Sequence, residues 1–396
     1  MKNKTNGKAA AEKVLLELTS LPTAAGREEA VIAYVESWAA RRARRVTLQR
    51  DRCGNLILAR RDFSKASART APLFITAHLD HPAFVVRATP AAGSAAVELE
   101  FRGGVYDPFF KGAAIEIFDP TLRKSFAARI TALDAAAKPF KTAAARLQRP
   151  AAAAGIKAGC IARWKFPKAA IVKGLAYTHA CDDLATVAAA LLAFDGISRD
   201  AALAHVALLL TRAEEIGFVG AIGAARGRTL PKNARLVCLE CSRSFPHDSP
   251  IGAGPIVRVG DRLSVFTPEL TNAVSAIAAA HQKAVPAFRF QRKLMPGGAC
   301  EATAFSGYGL RSTCVCLPLG NYHNMRNADA ALAGKARGRL GPEFISTADF
   351  HGLVELLGAI ARNIDAPGVT VRASMEKIWA QHGAVLTGAK PAAAPH

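Results

Sequence analysis

Long apolar runs are missing from this 396-residue chain; none approaches the roughly 18–20 consecutive apolar residues that cross a bilayer, so no membrane partner is expected. The N-terminus, MKNKTNGKAAAEKVLLELTS, is basic, but no uninterrupted apolar segment with a small-residue cleavage site follows it. No signal peptide is therefore expected, and the cytoplasm is the expected compartment. Aromatic residues are scarce: three Trp and five Tyr do not interleave with basic clusters. Carboxylates are few as well, 31 against 52 Lys and Arg, for a formal net charge of +21. Such a balance admits a nucleic-acid or anionic partner. The basic residues, however, are spread along the whole chain, with only ARRARR at 40–45 dense. A solvated basic surface is the plainer reading, and nucleic acid is not the expected partner. The eight cysteines lack a pattern. Cys238 and Cys241 form a C-x-x-C, but the other close pair, Cys314 and Cys316, has the wrong spacing for a zinc ribbon. Without an export signal they read as reduced thiols buried on strands.

What is present is an apolar fraction of 51 %, enough for a well-buried protein, in a chain long enough for two domains. Helical spacing predicts helices over 10–21 and 26–43, and VTLQRDRCGNLILAR (46–60) predicts a β-hairpin around a D-x-x-G-N turn. APLFITAHLDH (71–81) is a short apolar run of the kind a buried parallel strand produces. From about 84 to 172 the texture changes to short β-like pieces with Gly, Pro and Asp turns, and the low-complexity stretch 135–155 has no readable path. Strand–helix alternation then returns. Strands are expected at HVALLL, RLVCLE, PAFRFQ and STCVCLPL, and helices at ATVAAALLAF, ELTNAVSAIAAAHQ and TADFHGLVELLGAIARN. This predicts an α/β fold with a largely parallel central sheet, residues 1–83 and 173–385, interrupted by an inserted β domain, 84–172. The tail, 386–396, is expected to be disordered.

In TRAEEIGFVGA (211–221), two glutamates, Glu214 and Glu215, follow a buried strand. Adjacent carboxylates in a partly desolvated place repel unless a cation or a proton compensates them. Open α/β sheets gather ligands at the carboxyl ends of their strands. There the sequence places His78 after FITA, Glu240 after RLVCL, Glu214 and Glu215 after VALLL, and His323 after CVCLPL, with Asp182 just before a helix start. Singly each has an ordinary reading: a satisfied core histidine, a helix N-cap at 182–183, a solvated loop, a turn residue. Together, two imidazoles and three carboxylates, with one glutamate to spare, suit a pair of zinc-like ions and a base.

At these residues the sequence resembles a known family. AHLDHPAFVV, HACDDLATVA, AEEIGFVGA, VCLE and VCLPLGNYHNM are similar to the five metal-site motifs of the co-catalytic zinc aminopeptidases, especially the tetrahedral (glutamyl or deblocking) group. DRCGNLI, GIKAGCIARW, GPIVRVGDRLSVFTPEL and PGGACEATAF follow in the family's order, so the resemblance covers nearly the whole chain. It implies a zinc-exopeptidase-like sandwich with a small inserted β-barrel-like domain. It also implies two divalent metal ions, zinc first with cobalt or manganese as alternatives. Asp182 would bridge them, His78 and Glu240 would complete one site, and Glu215 and His323 the other. Asp80 would fix the ring of His78 from behind. Glu214 would be the general base for hydrolysis of peptides at a free N-terminus. The family also implies a homo-oligomer based on dimers, up to a dodecamer.

Three positions depart from the family's pattern. His81 and Pro82 follow the H-x-D motif where an acidic residue is usual, Glu240 replaces an aspartate, and GGACEA replaces G-G-T-D-A. Two other functions stay open at this stage: a metal-dependent acyl-amino-acid deacylase or carboxypeptidase, and a non-catalytic basic nucleic-acid-binding protein on the same fold.

Overall fold

A computed structural model describes residues 2–366 and 371–387. The chain begins with α1 (Lys2–Leu18) and α2 (Glu29–Ala40), then the hairpin of β1 (Val46–Arg50) and β2 (Leu56–Arg60). Gly54 turns that hairpin with φ +80°, a conformation a side chain would strain. Helix α3 (Phe63–Ser67) leads to β3 (Leu73–His78), and strands β4 (Ala83–Val86), β5 (Ala96–Arg102), β6 (Ala114–Phe118), β7 (Ser125–Asp134), β8 (Lys141–Leu147) and β9 (Ile161–Trp164) follow. Next come β10 (Ala170–Val172), β11 (Leu175–Thr178), α4 (Leu184–Ile197), β12 (Val206–Thr211), α5 (Val219–Arg226), β13 (Arg235–Arg243) and β14 (Ile256–Gly260). The remainder is α6 (Pro268–Ala284), β15 (Gln291–Leu294), α7 (Glu301–Gly307), β16 (Arg311–Leu319), α8 (Ala328–Leu332), β17 (Glu343–Ser346), α9 (Thr347–Asn363), α10 (Val371–His382) and α11 (Ala384–Thr387).

Eight strands form the main sheet in the order β1-β2-β12-β3-β13-β16-β14-β15. Its centre is parallel: β3 runs alongside both β12 and β13, and β13 alongside β16. Both β3 and β12 are buried along their whole length, which is why they read as unbroken apolar runs rather than alternating ones. One face of the sheet is covered by α1, α2, α4, α6 and α9, the other by α5 and α7. Helix α4 is apolar nearly all round and sits inside this layer, packed on β3 and α9.

Strands β4 to β9 close into an antiparallel barrel in the order β4-β5-β8-β7-β6-β9. Phe84, Phe101, Phe110 and Trp164 fill it, with ring centroids 4.7 to 5.9 Å apart. Replacing Phe84 with alanine should cost about 3–5 kcal/mol, read as a lower urea midpoint for the barrel. Strand β8 passes through the low-complexity stretch for which the sequence showed no path.

One strand lies elsewhere than expected. Residues 286–290 are turn and irregular chain, and β15 begins only at Gln291. Pro286 has no N–H to donate to a ladder, and Phe288 turns into the core beneath α6 and α9. Of the stretch 386–396, Leu386 and Thr387 belong to α11, and the rest lies outside the described residues. Among the described residues no helix is long and apolar enough to cross a membrane.

Candidate metal centre

The parallel strands deliver their ends to one place. His78 closes β3, the Glu214–Glu215 loop follows β12, and Asp182 precedes α4. Glu240 lies within β13 rather than at its end, three residues before Arg243, because the ladder with β16 continues past it. His323 occupies the turn after β16.

Each imidazole is oriented from behind by a backbone carbonyl. His78 Nδ1 stands 3.2 Å from the oxygen of Asp80, and His323 Nδ1 stands 2.6 Å from that of Gly104. A carbonyl only accepts, so each Nδ1 carries a proton, and Nε2 is the nitrogen left to face the cluster. His78 Nε2 faces Asp182 Oδ1 at 3.4 Å and Glu240 Oε1 at 3.8 Å. His323 Nε2 faces Asp182 Oδ2 and Glu215 Oε1, both at 3.5 Å. Asp182 thus presents one oxygen to each imidazole. The ligand atoms of His78, Asp182, Asp183 and Glu240 lie within 4.8 Å of one another, as do those of Asp182, Glu215 and His323, and those of His78, Glu214 and Glu215.

Two buried carboxylates hold the backbone of this cluster. Asp80 accepts from the N–H of Glu214 at 2.9 Å and of Glu215 at 3.0 Å. Glu343, from β17, accepts from the N–H of His323 at 2.8 Å and of Asp182 at 3.0 Å. Asp183 stands at the N-cap position of α4, but its side chain makes no capping bond; Oδ2 accepts instead from the N–H of His78.

The electrostatics are those of a site short of positive charge. Burial, then the neighbouring acidic charges, pushes the carboxyls of Glu215 and Glu240 well above their ordinary range. Burial likewise raises Glu214, with His78 opposing it. For His78 burial works downward, but Glu214 and its contacts with Asp182, Asp80 and Glu240 carry it well above its usual value. Asp182 is held far below the carboxylate range by the two imidazoles, against the effect of burial. Asp182 Oδ1 and Glu215 Oε1 are buried with no hydrogen-bond partner. Mixed imidazole and carboxylate donors, converging with unsatisfied oxygens, fit divalent cations.

The family departures now have positions. His81 is buried behind Asp182, touching its backbone oxygen with Nδ1 and Asn324 Oδ1 with Nε2 at 3.1 Å. Burial lowers its pKa to about 4, so a neutral ring occupies the place of an acidic one. Glu301 lies below the cluster, where Thr76 Oγ1 reaches its Oε2 at 3.5 Å, and burial raises it to about 7.

A cavity of about 560 Å³ opens over the cluster. Glu214, Glu215, Asp182, Glu240 and His323 form its floor, and Arg258, Ser242 and the 294–299 loop line it. Cys300 and Glu301 are not among the lining residues, so the GGACEA substitution reaches the cavity only through Gly297, Gly298 and Ala299. Five of the seven residues singled out from the sequence line this cavity; His78 and Asp80 belong to the same cluster but lie off its lining. Glu343, Gly104 and Arg258 were not singled out; a lone glutamate in EFIS, a glycine carbonyl and an arginine in a strand leave no pattern to detect.

A layered α/β sheet carrying such a cluster at its strand ends, with a barrel inserted beside it, has the build of a metallohydrolase. The family model for M42 glutamyl aminopeptidases matches residues 54–333, and the chain belongs to that family of metal-dependent peptidases. None of the curated proteins matches the sequence. Solved structures share the fold. A TET aminopeptidase from a marine-sediment Thaumarchaeota archaeon superposes with a TM-score of 0.69 at 17 % identity, covering 90 % of this chain and 97 % of that one. An aminopeptidase from the archaeon Desulfurococcus kamchatkensis gives 0.68 at 18 % identity, covering 90 % and 95 %. The TET1 peptidase of Pyrococcus horikoshii, which can assemble into a tetrahedron or a large octahedral shell, gives 0.65 at 18 %, covering 89 % and 99 %.

Proposed function

We propose that the cluster holds two divalent cations, zinc in the first instance, and that the protein removes N-terminal residues from peptides. The observation that carries this reading is the split of Asp182, one oxygen toward His78 and the other toward His323. His78 and Glu240 would complete one cation subsite, and Glu215 and His323 the other. When bound, such ions lower the pKa of water and polarise a carbonyl. The chain's own residues do the rest. Asp80 fixes the His78 ring and, through two N–H groups, the adjacent glutamates. Glu214 lines the cavity beside them and takes the proton of the attacking water, then returns it to the leaving amine. We place the protein in the cytoplasm as a homo-oligomer built on dimers, up to a dodecamer, by extension from the family. The function is tested by elemental analysis of the purified protein with a panel of aminoacyl-nitroanilides and their N-acylated counterparts. Hydrolysis confined to the acylated substrates, or a metal-free protein, would overturn it.

Arg258 bears on which residue is removed. Its guanidinium is buried and bonds only to neutral oxygens: Gly260, Met295 and Gly298 carbonyls and the Ser242 hydroxyl. Among the described residues it forms no ion pair. The thiols of Cys300, Cys314 and Cys316 and the Glu240 carboxylate act on it electrostatically, but none is bonded to it; a carboxylate entering this cavity would supply a direct partner to a buried charge. Arg258→Leu is therefore expected to lower kcat/KM for a glutamyl anilide roughly 10- to 100-fold and to spare the leucyl anilide. Equal losses on both substrates would remove Arg258 from specificity.

A further inference from the structure

The two proposed cation subsites are not built alike. His78 and Glu240 stand on neighbouring parallel strands, β3 and β13; the ladder between these two ends at Thr76 and Cys238, but His78 is in register with Thr211 of β12 and Glu240 with Cys316 of β16. His323 has no ladder. It lies in a turn where Asn321, His323 and Asn324 all have left-handed backbones, φ +54°, +51° and +65°. Such conformations persist in non-glycine residues only where the surroundings over-determine them. Asn321 and Asn324 are tied down by their own side-chain amides, which donate to the carbonyls of Pro342 and His179, while Gly320 and Phe344 exchange backbone hydrogen bonds just before the turn. His323 itself is held by the Gly104 carbonyl on its ring, the Tyr322 ring stacked against it, and the Glu343 side chain on its N–H.

Glu343 also reaches further. It is fully buried, and while Oε1 takes the His323 N–H, Oε2 takes the N–H of Asp182. The two oxygens of one carboxylate sit at a covalently fixed separation. Glu343 therefore sets the distance between two backbone points, one carrying the shared aspartate and the other the strained histidine. Neither His78 nor Glu240 receives such a link from it.

We infer that Glu343 is a positioning residue that acts chiefly on one subsite: it gauges the Asp182–His323 spacing and so governs cation affinity at Asp182, Glu215 and His323, while at the other subsite it bears only on the shared Asp182 and the sheet holds His78 and Glu240. The inference rests on the two-cation reading above. An amide at this position has one acceptor oxygen, so Glu343→Gln turns an N–H donor toward another donor. Glu343→Asp is a methylene shorter and spans only one of the two N–H groups.

The test is calorimetric titration of chelator-stripped protein with zinc and, separately, cobalt, with metal content measured after dialysis. The wild-type chain should take up two equivalents. In E343Q the tighter or looser step that His323→Ala abolishes should weaken roughly 10- to 100-fold, the usual effect of removing a group that orients a ligand. The other step should stay within about threefold of wild type, and E343D should fall between. Equal weakening of both steps, or no change in either, overturns the inference. So does failure of both variants to fold, since Glu343 would then serve the fold as a whole. A wild-type chain that takes up no divalent cation would instead overturn the proposed function, and this inference with it.

Discussion

Glu214→Gln is expected to leave the bound metal unchanged and to lower kcat by about 10²- to 10⁴-fold, with KM within a few-fold of wild type. Glutamine keeps the size of the side chain and, with the backbone N–H still held by Asp80 at 2.9 Å, its place in the loop. What it loses is the ability to accept a proton from the attacking water. Glu215→Gln provides the contrast. Its Oε1 faces His323 at 3.5 Å, so that variant should lose metal as well as rate. Metal analysis beside steady-state kinetics on one anilide separates the two. Full activity in Glu214→Gln with normal metal content would assign the proton to another group.

Asp182→Ala should have the largest effect of all. Both imidazoles face oxygens of this one side chain, at 3.4 and 3.5 Å, so both proposed subsites would lose a ligand together. Elemental analysis should show both equivalents gone, and kcat/KM should drop by about four orders of magnitude or more. Stability should follow. A ligand present at 1,000 times its Kd stabilises a native state by about 4 kcal/mol per site, so the wild-type melting temperature should rise on adding zinc while that of Asp182→Ala stays flat. A zinc-dependent rise of equal size in both proteins would place the cations elsewhere.

The parts of this molecule that are legible in its sequence are those whose side chains answer to one environment. LFITAH and VALLLT are buried on both faces, as the runs of central strands in a largely parallel sheet are. The 17 residues of α9 keep an apolar stripe under a Ser346 cap that accepts from the N–H groups of Ala348 and Asp349. The convergence of His78, Asp182, Glu215, Glu240 and His323 was legible because strand ends at one edge of a parallel sheet converge by topology. Strand β8 was not, because KTAAARL gives alanine two of its three buried positions, Ala143 and Ala145 beside Leu147, and the barrel's large rings come from other strands. Helices α5 and α7 were missed because eight and seven residues are too few to establish a period. Glu343 stayed hidden for a different reason. Its partners are backbone N–H groups 20 and 161 residues away, and a backbone partner leaves no trace in the identity of either residue.

The contact between His323 and the Gly104 carbonyl joins the inserted barrel's chain to the working parts of the sheet. The insert thus holds the orientation of a ring it does not contain, so the two parts cannot be exchanged independently. A chimera given a foreign insert would keep its sheet and His78, yet would have to rediscover one carbonyl oxygen before His323 pointed the right way.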